Sequence, residues 1–175
     1  MQGPGSETAD SRDPEFRRRL ALICAIGLGI RVLYVLLVTK GSPLYGDATY
    51  YSAQGQVIAD GRGFAHPYFF AGTMPAADHP PLAALVFAIG PLIAGTKAMA
   101  FGLPLYIFLQ RLTVVLIGTL TIAVVGAAGR RLQGSRVGLI AAGLAALHPS
   151  LWVNDGIVMS ESIAALALAA VIWVA

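Results

Sequence analysis

Two runs of apolar residues, Leu20 to Val38 and Leu105 to Ala128, constrain this chain more than any other feature. Each is close to the roughly 20 residues that a helix needs to cross the hydrocarbon core of a bilayer. Inside such a core every backbone N–H and C=O must be satisfied within its own segment, which leaves the helix as the conformation for these runs. Val137 to Val153 is a third run, and a fourth opens near Ile157. Composition agrees, because 57% apolar residues, 12% charged residues and a mean hydropathy of +0.72 do not fit a soluble domain. The expected fold is all-α, a polytopic transmembrane helical bundle with about four spans at roughly 20–38, 105–128, 137–153 and 157–175.

What the composition excludes narrows the function. A net charge of +3, dispersed between hydrophobic segments, makes no basic stripe for a phosphate backbone, so nucleic acid is not an expected partner. The single cysteine, Cys24, lies inside an apolar run and offers neither a disulfide framework nor a Cys-based metal site. Residues 1–16, MQGPGSETADSRDPEF, are polar and carry four acids, which predicts a disordered cytoplasmic tail ahead of a membrane domain over 17–175. No small-residue cleavage site follows the first apolar run, so removal as a signal peptide is not expected.

Lysine and arginine in short loops mark the cytoplasmic side. Arg17, Arg18 and Arg19 place the N-terminus inside, and "GRRLQGSR" (Arg130, Arg131, Arg136) marks a second inside loop. An even number of spans must separate the two. Pro81 to Gly95 is short and interrupted by Gly90 and Pro91, so it reads as a juxtamembrane or re-entrant helix that does not cross. The long segment 39–104 then lies outside. With it go all the acids beyond the tail: Asp47, Asp60, Asp78, Asp155 and Glu161.

Several of these residues carry candidate chemistry. Asp47, ahead of ATYYSAQGQVIA, predicts a helix cap with the helix running to about Ala59, and capping is compatible with a role as base for a hydroxyl nucleophile. Tyr50 and Tyr51 read as interface anchors or ligand contacts. "DHPPL" sets Asp78 and His79 before two prolines that stiffen the approach to an apolar helix. Arg31 sits about seven residues short of the outer end of the first span, where a charge demands a partner, an acid or a lipid phosphate. Arg111, near the outer end of the second span, reads first as an anchor in the headgroups. In "NDGIVMSES", Asp155 or Ser160 is expected to cap the following helix, and only one of Asp155 and Glu161 is expected to point into the bundle. His66 and His148 read as interfacial or turn residues. No His, Cys or carboxylate spacing indicates a metal, although a divalent ion is compatible with the chemistry.

Taken in order, a first span with an internal arginine, an outer loop with "GDATYY", then "DHPPL", a span between "QRL" and "GRRLQGSRVG", and "NDGIVMSE" before a further span resemble the polytopic GT-C glycosyltransferases. The branch most resembled is that of the protein O-mannosyltransferases and the lipid A aminoarabinose transferases, glycosyltransferase family 39-like. The resemblance covers nearly everything after residue 16, and "DHPPL" is its most specific element. It implies transfer of a sugar from a polyprenyl-phosphate donor to a glycan, lipid or protein acceptor hydroxyl at the extracytoplasmic face of the plasma membrane. By motif position Asp47 matches the first-loop catalytic acid, Asp78 and His79 match the catalytic acid and the imidazole near the donor phosphate, Glu161 matches the catalytic carboxylate before the fourth span with Asp155 the competing choice, and Arg111 matches an arginine near the leaving phosphate; Arg31 is expected as a further phosphate-binding cation, and Tyr50, Tyr51 and Asp155 as substrate contacts. Two positions depart from the pattern: Ala48 stands where the mannosyltransferases have a second acid, and His79 stands where the aminoarabinose enzymes have lysine. GT-C enzymes carry more spans than four, so an N-terminal portion of such an enzyme is the expectation. Two other classes fit the same composition, a non-catalytic membrane partner of a glycosyltransferase assembly and a transporter subunit.

Overall fold

A computed structural model of the chain describes residues 13–68, 74–76 and 78–175. Helix α1 spans Pro14–Tyr34 and continues as a π turn over Val35–Thr39. Asp13 starts it: one carboxylate oxygen accepts from the N–H groups of Glu15 (3.0 Å) and Phe16 (3.1 Å), and Pro14 occupies the first turn, where its missing N–H costs nothing. The stretch expected to be a tail therefore ends earlier than Phe16. Residues 1–12 of that expectation lie outside the described ones.

Helix α2 (Asp47–Ala59) and helix α3 (Pro81–Ala94) follow, then a two-residue hairpin of β1 (Met99–Ala100) and β2 (Leu103–Pro104). Helix α4 (Leu105–Gln133) is the spine of the molecule, with 29 residues, and packs against α1, α3, α5 and α7. Helix α5 (Ser135–Leu147), a single turn α6 (Pro149–Trp152), a 3-10 turn at Asn154–Gly156 and helix α7 (Glu161–Val174) complete the chain.

The protein is a mostly helical, membrane-embedded chain in which α1 with its π turn (26 residues) and α4 are long and apolar enough to cross a bilayer. The third expected span, Val137 to Val153, is not one straight helix. It breaks at His148, whose extended backbone (φ −68°, ψ 116°) follows from the proline at 149, and the two parts meet at 60°. Counting that bent pair as one span gives up to three among the described residues. Helix α7 begins only at Glu161 and runs 14 residues, shorter than the span expected from Ile157 onward. Helix α3 is also 14 residues, about 21 Å at 1.5 Å per residue, and so falls short of a core roughly 30 Å thick.

Packing within the bundle relies on small residues. A Cβ added at Gly138 in α5 would lie 2.5 Å from the Gly126 carbonyl oxygen in α4, so these two backbones meet with nothing larger than hydrogen between them. Around that contact Ile122, Ala142, Ala145 and Ala146 form a buried cluster joined by Leu20, Ile23 and Cys24. A second cluster, Ala48, Tyr51, Ala83, Phe87, Val114 and Val158, fastens α2 and α3 to the N-terminal half of α4. Leu37, Leu116, Leu144 and Leu168 point outward and are exposed, as side chains that face lipid would be.

Buried polar fasteners fix α2 to the same place. Ser52 Oγ donates to Gln110 Oε1 (2.8 Å), and Gln110 Nε2 donates to the Phe87 carbonyl (2.8 Å), so α2, α3 and α4 share one hydrogen-bonded seam. An isolated bridge between Ala65 and Pro75, with Gln54 Nε2 donating to the Ala65 carbonyl (3.0 Å), folds the loop after α2 back over that helix.

Candidate functional site

The candidate residues gather at the end of the bundle where α1 finishes and α4 begins. Asp47 is not the helix cap that its sequence context predicts. Gly46, at φ +55°, takes the capping position, and Asp47 becomes the first residue of the helix. Its carboxylate is 65% exposed, lies in the first turn where the helix dipole favours a negative charge, and faces His79, with Nε2 3.6 Å from Oδ1.

Behind this pair is an aromatic seat. Tyr50 stacks on the His79 ring (centroids 4.2 Å apart), and Tyr51 meets the same ring edge-on (4.9 Å). Tyr50 Oη donates to Asp78 Oδ2 (3.2 Å), and His66 Nε2 approaches the same oxygen (3.3 Å). Burial, reinforced by the Asp78 carboxylate, pushes the Tyr50 phenol up to about 12, so it stays protonated and remains a donor. His66, read from sequence as an interfacial or turn residue, belongs to this site. No spacing signal announces it, because the loop that brings it to Asp78 closes through backbone pairing of Phe64 with Ala76 and of His66 with Met74. Of Asp155 and Ser160, the two expected caps, Ser160 takes the capping position of the following helix, but its side chain makes no capping bond and accepts from Tyr51 Oη (3.2 Å).

A cleft of about 390 Å³ opens beside Asp47, and Arg111 and Glu161 line it together with Tyr45, Asn154 and Met159. Arg111 is 1% exposed, which overturns its reading as a headgroup anchor. Its guanidinium closes against three backbone carbonyls: Nε donates to Gly156 (3.0 Å), one terminal nitrogen to Thr39 and the other to Ser42 (2.5 Å). The Thr39 carbonyl lacks a helical partner because α1 ends there in a π turn; it accepts from the Ser42 N–H (2.9 Å) as well as from Arg111, and the Ser42 carbonyl belongs to the turn that follows. Arg111 forms no ion pair with any described residue. Two of its five N–H donors are left for something else.

Arg31 is the opposite case. It is fully buried, and Nε lies 2.6 Å from Oδ2 of Asp155, itself fully buried. Ser162 Oγ donates to the other oxygen of Asp155 (2.9 Å). The remaining nitrogens of Arg31 face the Gly27 carbonyl (3.2 Å) and, at longer range, those of Ala146 and Ala145, which the end of α5 leaves without helical partners. Of the two partners sequence allows for Arg31, the acid is the one present. Asp155 thereby points into the bundle, and Glu161 stays exposed at the cleft. Neither Arg31 nor Asp155 faces the cleft, where the donor phosphate and substrate contacts would be.

The site thus joins Asp47, His79, Arg111 and Glu161, with Asp78, Tyr50, Tyr51 and His66 as its rim, and sets Arg31 and Asp155 beneath it. Among the described residues no group of three His, Cys, Asp or Glu side chains converges as a metal site would. No family model, no curated protein and no solved structure matches the chain.

Proposed function

We propose that this chain is a membrane glycosyltransferase of the GT-C kind, working at the extracytoplasmic face of the plasma membrane with its N-terminus in the cytoplasm. The observation that carries this reading is the buried Arg111 without a carboxylate partner, lining one cleft with the carboxylates of Asp47 and Glu161. A buried cation held only by carbonyl dipoles is a receptor for an anion, and a cleft that also offers carboxylates suits a reaction in which a proton leaves as phosphate charge develops.

In that reaction the acceptor hydroxyl oxygen bonds to the sugar C1 while the bond from C1 to the phosphate oxygen breaks. The electron pair of that bond departs with the polyprenyl phosphate, and the acceptor proton passes to Asp47. His79 orients the Asp47 carboxylate, and the free N–H groups of Arg111 stabilise the leaving phosphate. Glu161, which lines the same cleft, accepts hydrogen bonds from sugar or acceptor hydroxyls. Asp78 departs from the role its motif position implies: bonded to Tyr50 and near His66, it shapes the rim and leaves the donor phosphate to Arg111.

The test is transfer from a radiolabelled polyprenyl-phosphate sugar in membranes, comparing wild type with Asp47→Asn at matched expression. Removal of a general base lowers transfer by about 10²–10⁴-fold. Equal transfer in the two would remove Asp47 as the base, and no transfer from wild type would reject the glycosyltransferase reading.

A further inference from the structure

We infer that Asp155 is a positioning residue for Arg111, and that its pairing with Arg31 both aims Arg111 into the cleft and leaves that arginine's charge for a ligand. The inference rests on the reading of Arg111 as the phosphate-facing group. Two adjacent residues carry the link. The Asp155 side chain is gripped by Arg31 of α1 and Ser162 of α7, and the carbonyl of the next residue, Gly156, accepts from Nε of Arg111.

The 3-10 turn Asn154–Gly156 has little freedom to place that carbonyl elsewhere. A Cβ at Gly156 would lie 2.7 Å from both the Tyr34 ring and the Thr39 side chain, so the turn is pressed directly onto the end of α1. On its other side the Asp155 carboxylate occupies the space that any side chain at Gly118 of α4 would need, with Oδ1 only 2.8 Å from a Cβ built there. The same end of α1 supplies the Thr39 and Ser42 carbonyls that hold the rest of the guanidinium. Arg31 therefore ties together, through one carboxylate, the two backbone segments whose carbonyls orient Arg111.

Charge allocation follows from the same geometry. Asp155 is the one acid buried at this depth among the described residues, and it is committed to Arg31. Had it turned to Arg111, the cleft would hold a neutral pair and Arg31 would be stranded in the bundle. The observed pairing neutralises the arginine farther from the cleft and keeps the nearer one positive.

The experiment uses the full chain in lipid nanodiscs and follows the rate at which Arg111 itself reacts with phenylglyoxal, read by peptide mass spectrometry. The variants are Ser162→Ala, which removes one grip on Asp155, and the volume-conserving double change Arg31→Met with Asp155→Leu, which leaves no charge stranded. Loss of one carbonyl hydrogen bond should raise Arg111 reactivity about fivefold or more in the double variant, and less in Ser162→Ala. In the transfer assay the double variant should raise KM for the donor together with a fall in kcat, at unchanged melting temperature. Arg111 reacting at the wild-type rate in a folded double variant would overturn the inference; if that variant does not fold, a wild-type rate in Ser162→Ala overturns it equally. The reactivity does not depend on sugar transfer, so absence of transfer in wild type would count against the enzymatic reading alone.

Discussion

Two arginines among the described residues are buried in this bundle, and they are buried in different ways. Arg31 meets a carboxylate, a hydroxyl-supported pair that is neutral as a unit; Arg111 meets three carbonyls and keeps its full charge beside an open cleft. A charge inside a membrane protein demands compensation, and the difference lies in when it arrives. For Arg31 it is built into the fold. For Arg111 part of it is left to a ligand, so the first region answers to stability and the second to binding.

The sharpest way to break that contrast is to strand one member of the built-in pair. Arg31→Met leaves Asp155 buried without its cation and should lower stability by about 3–5 kcal/mol, measured as a loss of folded protein against denaturing detergent. A variant as stable as wild type would mean that the pair contributes nothing to the fold. Gly118→Ala presses a methyl group into the Asp155 carboxylate while leaving every charge in place, and overpacking of that kind should remove about 1–3 kcal/mol in the same assay. An unchanged midpoint would show that α4 can draw back from the pair.

The smallest effect belongs to the rim of the Arg111 cleft. Asp78 is 56% exposed, so the hydrogen bond that it accepts from Tyr50 is open to competition from water, and Tyr50→Phe should lower stability by about 1 kcal/mol at neutral pH. The phenol's ordinary value is near 10 and its folded value is raised to about 12. Its contribution is therefore complete below pH 10 and is lost as pH rises from 10 to 12. Unfolding midpoints of the two proteins should converge across that window. A gap that stays constant would mean that Tyr50 is not a buried donor.

How much of this was legible in the sequence differs between the two arginines as well. The apolar runs fix α1 and α4, and the need of Arg31 for a partner follows from its depth in a span, because both arguments depend only on residue type and spacing. The helix from Asp47 to Ala59 and the short one after Pro80 were likewise readable from turn and proline chemistry. Arg111 reads as an anchor because its acceptors are backbone carbonyls, placed by the way α1 ends, and backbone groups leave no trace in a sequence. His66 reads as an interfacial or turn residue for a related reason, since the pairing that carries it to Asp78 is also backbone. The break at Pro149 had a signal, the proline itself, which the continuous apolar pattern around it outweighed.

The claim that Arg111 is an anion receptor is tested most directly by binding. A short-chain polyprenyl phosphate would be titrated into nanodiscs holding wild type or Arg111→Lys, a change that keeps the charge and loses the planar fork of donors. Affinity should be lower by about 1.5–3 kcal/mol in the lysine variant, roughly ten- to a hundredfold, with the folded protein retained. Equal affinity in the two, or no binding to either, would contradict it.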